Sequence, residues 1–150
     1  MNILDLLKED HAKLRREMVT VRQCLSLPGA RDRIKHFIAD YEVHESIEED
    51  ILFPKLNAVL EDERERDSLF SYEQMHTKIW GYLEELVDNL SSECYPMVQD
   101  TFFKFCALTE AHFGYEERML FPNIRQLLDP VTLEKLGKKA EKRCVRFSVN

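Results

Sequence analysis

Apolar residues recur along this chain at alternating spacings of three and four, the period of an amphipathic helix, through four successive segments. The first stripe runs Leu4, Leu7, His11, Leu14, Met18, Val21, Leu25, and the second Ile34, Phe37, Tyr41, His44, Glu48, Ile51. A third runs Leu69, Tyr72, His76, Ile79, Leu83, Leu86, Leu90, and a fourth Val98, Phe102, Phe105, Thr109, His112, Glu116, Met119. Breakers separate them: Pro28-Gly29, the charged stretch from Glu61 to Asp67, and the run from Ser91 to Pro96. The pattern predicts helices over about 4–26, 31–61, 68–91 and 97–128, then a short one over about 131–144. Pro54 and Pro122 fall inside the second and fourth, where a missing N–H and a bulky ring should kink or divide them. The expected fold is all-α: an antiparallel up-down-up-down four-helix bundle over 1–128, followed by a short basic C-terminal helix and tail over 129–150.

Histidines and glutamates interrupt these core stripes at six places: His11, His44, Glu48, His76, His112 and Glu116. His11 precedes the first turn by about as many residues as His44 follows it. At a rise of about 1.5 Å per residue, both lie roughly 22 Å from that turn. The same sum holds for His76 and His112 around the third turn. An antiparallel bundle therefore places four imidazoles in one layer, with Glu48 and Glu116 one helical turn beyond their histidines on the same face. An internal repeat supports this: His44-x-x-x-Glu48-Glu49-x-x-Leu52-Phe53-Pro54 recurs 68 residues later as His112-x-x-x-Glu116-Glu117-x-x-Leu120-Phe121-Pro122. The first and third helices align at an offset of 65, pairing Leu7 with Tyr72 and His11 with His76. Two similar hairpins, each contributing two His and one Glu, would pack face to face.

Two carboxylates in a bundle core cost several kcal/mol each unless a positive charge compensates them. A pair of metal ions supplies that charge. Imidazole suits Fe, Zn, Ni and Cu, and carboxylates bridge hard ions, so four His with two Glu point to two Fe ions in a non-heme di-iron centre. The expected arrangement is one pair of histidines for each metal, with Glu48 and Glu116 bridging both. His36, beside Phe37 and off the stripe, is expected at the surface.

Composition narrows the partners. The 150 residues hold 28 acidic and 21 basic side chains, a net charge of -7 that disfavours a nucleic-acid-binding surface. The segment from Asp129 runs against the trend, with six Lys and Arg to three acids. Cys24, Cys94, Cys106 and Cys144 lie far apart without a CxxC, so reduced thiols are expected rather than a disulfide framework or a zinc site. The acidic N-terminus lacks a signal-peptide pattern and no run approaches a membrane span of about 20 apolar residues, so a cytoplasmic protein with no membrane partner is expected.

From His11 through Pro122 the sequence resembles the hemerythrin-like, or HHE cation-binding, domains, and the two His-x-x-x-Glu-Glu-x-x-Leu-Phe-Pro motifs carry the resemblance. It implies an up-down-up-down bundle around a non-heme di-iron site, with His11, His44, His76 and His112 as terminal ligands and Glu48 and Glu116 as bridges. Ferritins differ in carrying Glu-x-x-His. Known roles in the family include reversible O2 binding, oxygen or iron sensing, peroxide breakdown, and proposed iron or nitric-oxide handling. Oxygen-carrying hemerythrins have His-x-x-x-His on the third helix and His-x-x-x-x-Asp on the fourth; here Tyr72 stands four before His76, and the fourth helix carries His112-x-x-x-Glu116. The missing imidazole leaves a coordination position for water, a nearby side chain or substrate. In this respect the chain resembles the iron-sensing domain of a mammalian F-box ubiquitin-ligase subunit, where a carboxylate matching Glu45 supplements the ligands. Glu45 is thus either a ligand or a solvated, hydrogen-bonding carboxylate.

The expected function is a non-heme di-iron protein that binds or reacts with O2 or H2O2. The alternatives are a catalase-like enzyme decomposing hydrogen peroxide, and an iron or oxygen sensor or metal-stabilised interaction module without turnover. Tyr72 would fill space and hydrogen-bond a carboxylate, or stand beside bound oxygen or peroxide; Tyr41, one turn before His44, could act similarly. Glu49 and Glu117 would form salt bridges or support the histidines from outside.

Overall fold

The computed structural model describes residues 1–148, with side chains as far as Cys144. The described residues are helical throughout apart from short connections, with no strand among them. The chain runs α1 (Ile3–Cys24), α2 (Ala30–Ile47), a π-helical turn (Glu48–Leu52), α3 (Phe53–Val59), α4 (Glu63–Ser91), α5 (Tyr95–Tyr115), a second π-helical turn (Glu116–Leu120), α6 (Phe121–Leu127) and α7 (Pro130–Ser148). The protein is an all-α bundle.

Local chemistry sets the ends of these helices. Asn2 caps α1 by accepting the Asp5 N–H at 2.9 Å. Gly29, at φ 88°, supplies the left-handed residue that turns the chain into α2. The charged stretch after Leu60, expected as a turn up to Asp67, is mostly helix. Asp62 accepts the Arg64 N–H at 2.9 Å, and Glu63 and Glu65 place negative charge at the positive end of the helix dipole, so α4 starts at Glu63.

Pro54 and Pro122 neither break nor sharply divide their helices. Each is preceded by a π-helical turn beginning at a motif glutamate, where the Phe53 N–H bonds the Glu48 carbonyl and the Phe121 N–H bonds the Glu116 carbonyl. The turn inserts one residue, so the proline ring meets a widened backbone rather than an α-helical carbonyl. It also shifts the helical phase. His44 and Glu48 face the core before the turn, and Leu52, Phe53 and Leu56 face it afterwards.

Two apolar clusters fill the interior. In one, Ile3, Leu4 and Leu7 of α1 meet Ile47, Phe53, Phe121 and Ile124; in the other, Leu14, Met18 and Val21 meet Phe37, Tyr41, Leu83, Phe102 and Phe105. His11, His44, His76 and His112 lie between these clusters along their helices, buried with Glu48 and Glu116.

The last helix is part of the first cluster, through Leu133, Leu136 and Ala140. Arg143 reaches Asp50 at 2.7 Å and the Ser46 carbonyl at 3.0 Å. Gly137 permits the closest approach, since a Cβ there would collide with the Met1 carbonyl oxygen. Gly137→Ala is therefore expected to destabilise the protein despite alanine's helix propensity of about 1 kcal/mol over glycine. Overpacking costs about 1–3 kcal/mol, which leaves a net loss of about 1 kcal/mol in a denaturant titration.

Candidate metal centre

The structure brings together all six histidines and glutamates of the core stripes. His44, near the end of α2, and Glu48, the first residue of the π-helical turn that follows, project from one side, His112 near the end of α5 and Glu116 at the start of the second π-helical turn from the corresponding place, and His11 and His76 from the facing stripes of α1 and α4. Glu48 is central. Its Oε1 lies 3.2 Å from His44 Nε2 and 3.9 Å from His11 Nε2, while its Oε2 lies 2.9 Å from His76 Nε2. Glu116 Oε1 is 2.6 Å from His112 Nε2, and the Nε2 atoms of His76 and His112 are 2.9 Å apart. Two sets of potential ligand atoms result, His11–His44–Glu48 and Glu48–His76–His112–Glu116, which share Glu48.

Carboxylates outside the cluster orient three of the four imidazoles. His11 Nδ1 donates to Glu117 Oε1 at 2.9 Å, His44 Nδ1 to Asp10 Oδ2 at 3.3 Å, and His76 Nδ1 to Glu49 Oε1 at 3.1 Å. A carboxylate can only accept, so each contact places a proton on Nδ1 and leaves Nε2 turned inward as the nitrogen able to ligate once it is deprotonated. Glu49 and Glu117 work crosswise: each follows the central glutamate of one hairpin and supports a histidine of the other. Glu117 is itself held by Arg15, whose Nη1 lies 2.8 Å from Oε1.

Asp10 and Arg15 are the contributors that periodicity did not reveal. The offset of 65 contains a signal for both, because Asp10 aligns with Met75 and Arg15 with Trp80. The two halves of the centre are thus differently supported: Asp10 holds His44, and the residue matching Asp10 in the second hairpin is Met75.

Electrostatics follows from this packing. Burial disfavours charge on His44, but the Glu48 charge and the Asp10 hydrogen bond outweigh it and raise its pKa to about 9. For His76 burial is likewise outweighed, by the Glu48 carboxylate 2.9 Å from Nε2 and the hydrogen bond to Glu49, which raise it to about 10. His112 has no such carboxylate on Nδ1, and burial drives it down to about 4. Burial also opposes ionisation of Glu48, yet His44, Glu116 and His11 hold its pKa well below the carboxylate range. Glu116 is pushed well above that range by burial and by Glu48 beside it. The packing thus favours the charged form of Glu48 and the protonated form of Glu116.

The donor set fits a metal cation. His11 Nε2, His44 Nε2 and both oxygens of Glu48 and Glu116 are buried without hydrogen-bond partners. So many converging lone pairs would be costly in an apolar interior unless a cation met them. Phe113 stacks on His11 at a ring-centroid distance of 3.9 Å, and Phe53 lies 5.7 Å from His76, each covering a face of its imidazole.

The remaining candidates fall outside the inner set. Tyr72 is half-buried with its ring 5.4 Å from Tyr115 and 6.1 Å from His112, and burial and Tyr115 raise its pKa. Together with Met75, Leu108 and Leu120 these residues line a groove of about 860 Å3 that reaches His112. Tyr41 is buried against Phe37 and Phe105. Glu45 lies 3.6 Å from His76 Nδ1, outside the imidazole ring. His36 is exposed, 3.6 Å from Asp40, and Cys24, Cys94 and Cys106 are free thiols.

A bundle with this buried His and Glu cluster belongs to the class of helical metal-binding proteins. Residues 2–99 match the hemerythrin HHE cation-binding domain, and the chain is a member of that family. The matched span contains His11, His44, Glu48 and His76; His112 and Glu116 lie beyond it and join the cluster through the second copy of the motif. No curated protein and no solved structure matches the chain. Among the described residues no helix is long and apolar enough to cross a membrane.

Proposed function

We propose that the centre holds two iron ions and that the protein binds or reacts with O2 or peroxide. The observation that carries this reading is the division of the buried ligand atoms into two sets sharing Glu48, with a histidine pair in each. His11 and His44 would hold one ion and His76 and His112 the other, with Glu48 and Glu116 as the carboxylates between them. Bound iron would supply reversible changes of oxidation state.

The chain's own residues prepare that chemistry. Asp10, Glu49 and Glu117 keep three imidazoles in the ligating tautomer. Phe113 and Phe121 pack against His11 and close its side of the centre. The groove past Tyr72 and Met75 offers a small apolar molecule an approach to His112.

Ultraviolet-visible spectra of anaerobically prepared Fe(II)-loaded protein, followed through one cycle of O2 exposure and removal, test the proposal. A charge-transfer band that appears with O2 and vanishes on its removal supports binding or sensing. Irreversible conversion to a ferric spectrum, with sustained gas evolution from added H2O2, supports peroxide decomposition. Protein that takes up no iron, or whose bound iron ignores both O2 and peroxide, overturns the proposal.

A further inference from the structure

The approximate two-fold relation between the hairpins fails at one place on the outer wall of the centre. On the His11 side, Glu110 and Glu117 are both paired with Arg15, at 2.9 and 2.8 Å, and Phe113 covers the imidazole. Through the offsets of the repeat, the corresponding residues on the His76 side are Glu42, Glu49, Trp80 and Glu45. Trp80 thus stands where the neutralising arginine stands, and Glu45 where the covering phenylalanine stands. A closed, charge-balanced wall becomes an open, acidic one.

The result is a cavity of about 370 Å3 lined by Glu42, Glu45, Glu49, Asp50, His76 and Trp80. Arg143 pairs with Asp50, but among the described residues no Lys or Arg pairs with Glu42, Glu45 or Glu49. Glu45 is only 9% exposed, and its Oε2 is buried without a hydrogen-bond partner. Glu45, Glu49 and His76 can also present ligand atoms within 4.8 Å of one another. His76 is the shared wall: Nδ1 faces the cavity carboxylates and Nε2 faces Glu48 and His112.

We propose that this acidic cavity is the entry vestibule through which a divalent cation reaches the buried centre, with Glu42 and Glu45 drawing the hydrated ion inward to the His76 wall. The inference rests on the reading that the centre binds metal, and it assigns to Glu45 a role in delivery rather than in final coordination. Clefts lined by one sign of charge raise the local concentration and association rate of the opposite ion, typically by 10-fold or more, and added salt weakens the effect.

Stopped-flow uptake of Co(II) by metal-free protein, followed by its visible absorption, tests this. The double variant Glu42→Gln with Glu45→Gln is expected to slow uptake by about 3–10-fold at low salt and to flatten its salt dependence. Its final stoichiometry and absorption spectrum should equal those of the wild type. Trp80→Arg, which restores a cation at the position matching Arg15, should slow uptake independently, whereas Glu110→Gln on the closed side should leave it unchanged. Wild-type uptake rates in both the double variant and Trp80→Arg overturn the vestibule while leaving the centre intact. A lower final stoichiometry or altered spectrum in the double variant overturns it in favour of Glu45 as a ligand. Failure of the wild type to bind Co(II) overturns both the vestibule and the metal centre beneath it.

Discussion

Replacing Glu48 and Glu116 together with alanine is expected to take the metal content from the proposed two ions per chain to less than one, measured by elemental analysis after reconstitution and desalting. Glu48 is the one residue present in both ligand sets, with Oε1 toward His11 and His44 and Oε2 toward His76. Its loss removes the shared anion. Glu116, 2.6 Å from His112, supplies the other inward carboxylate. Four neutral imidazoles would then face two dications without internal charge compensation, an expensive arrangement at buried positions. The metal-free double variant should nevertheless fold. Truncation leaves a cavity, but it also removes carboxylates whose buried oxygens have no hydrogen-bond partners. A folded variant that still retains two ions would show that the ligand set is wrong.

The stripes that specify the helices also specify the layer of the site, because a residue's axial position and face follow from the same period. That is why His11, His44, His76 and His112 could be placed together from their distances to the turns. The π-helical turns were harder to anticipate. A proline inside a helix signals a lost hydrogen bond, but whether the chain kinks or admits an extra residue depends on keeping Leu52 and Phe53, and likewise Leu120 and Phe121, in the core. The start of α4 at Glu63 depended on Asp62 acting as a cap within a run whose charge alone suggested a turn.

The outer supports depend on packing between hairpins. Glu49 and Glu117 could be expected to assist histidines, yet each reaches across to the other hairpin, to His76 and His11. No spacing within one helix encodes that crossing. Asp10 and Arg15 sit on the flanks of the α1 stripe, where charged residues ordinarily face solvent. Comparing the repeats at the level of flanking residues, rather than core residues alone, exposes the contrasts of Asp10 with Met75 and Arg15 with Trp80. Those contrasts make a nearly symmetric set of buried His and Glu side chains into a centre with one closed wall and one acidic wall.

Metal-free and metal-loaded protein are expected to respond oppositely to pH between about 6.5 and 9, and chemical denaturation across that window would show it. In the metal-free protein, His44 and His76 keep their protons to pKa values of about 9 and 10, against an unfolded value of 6.5. A raised pKa contributes stability that is fully present below the unfolded value and is lost as pH rises toward the folded one. Each proton held in excess by the folded state gives a negative slope approaching about 1.4 kcal/mol per pH unit. Glu116, raised by burial and by Glu48, acts in the same direction wherever it titrates within the window. His112 has the opposite sign, but its depression to about 4 acts below pH 6.5 and leaves the window alone. Loading reverses the balance because metal binding requires deprotonated ligands, so rising pH removes competing protons and strengthens the stabilisation by bound ion. Parallel pH slopes for the two forms would mean that the ions bind somewhere other than these imidazoles.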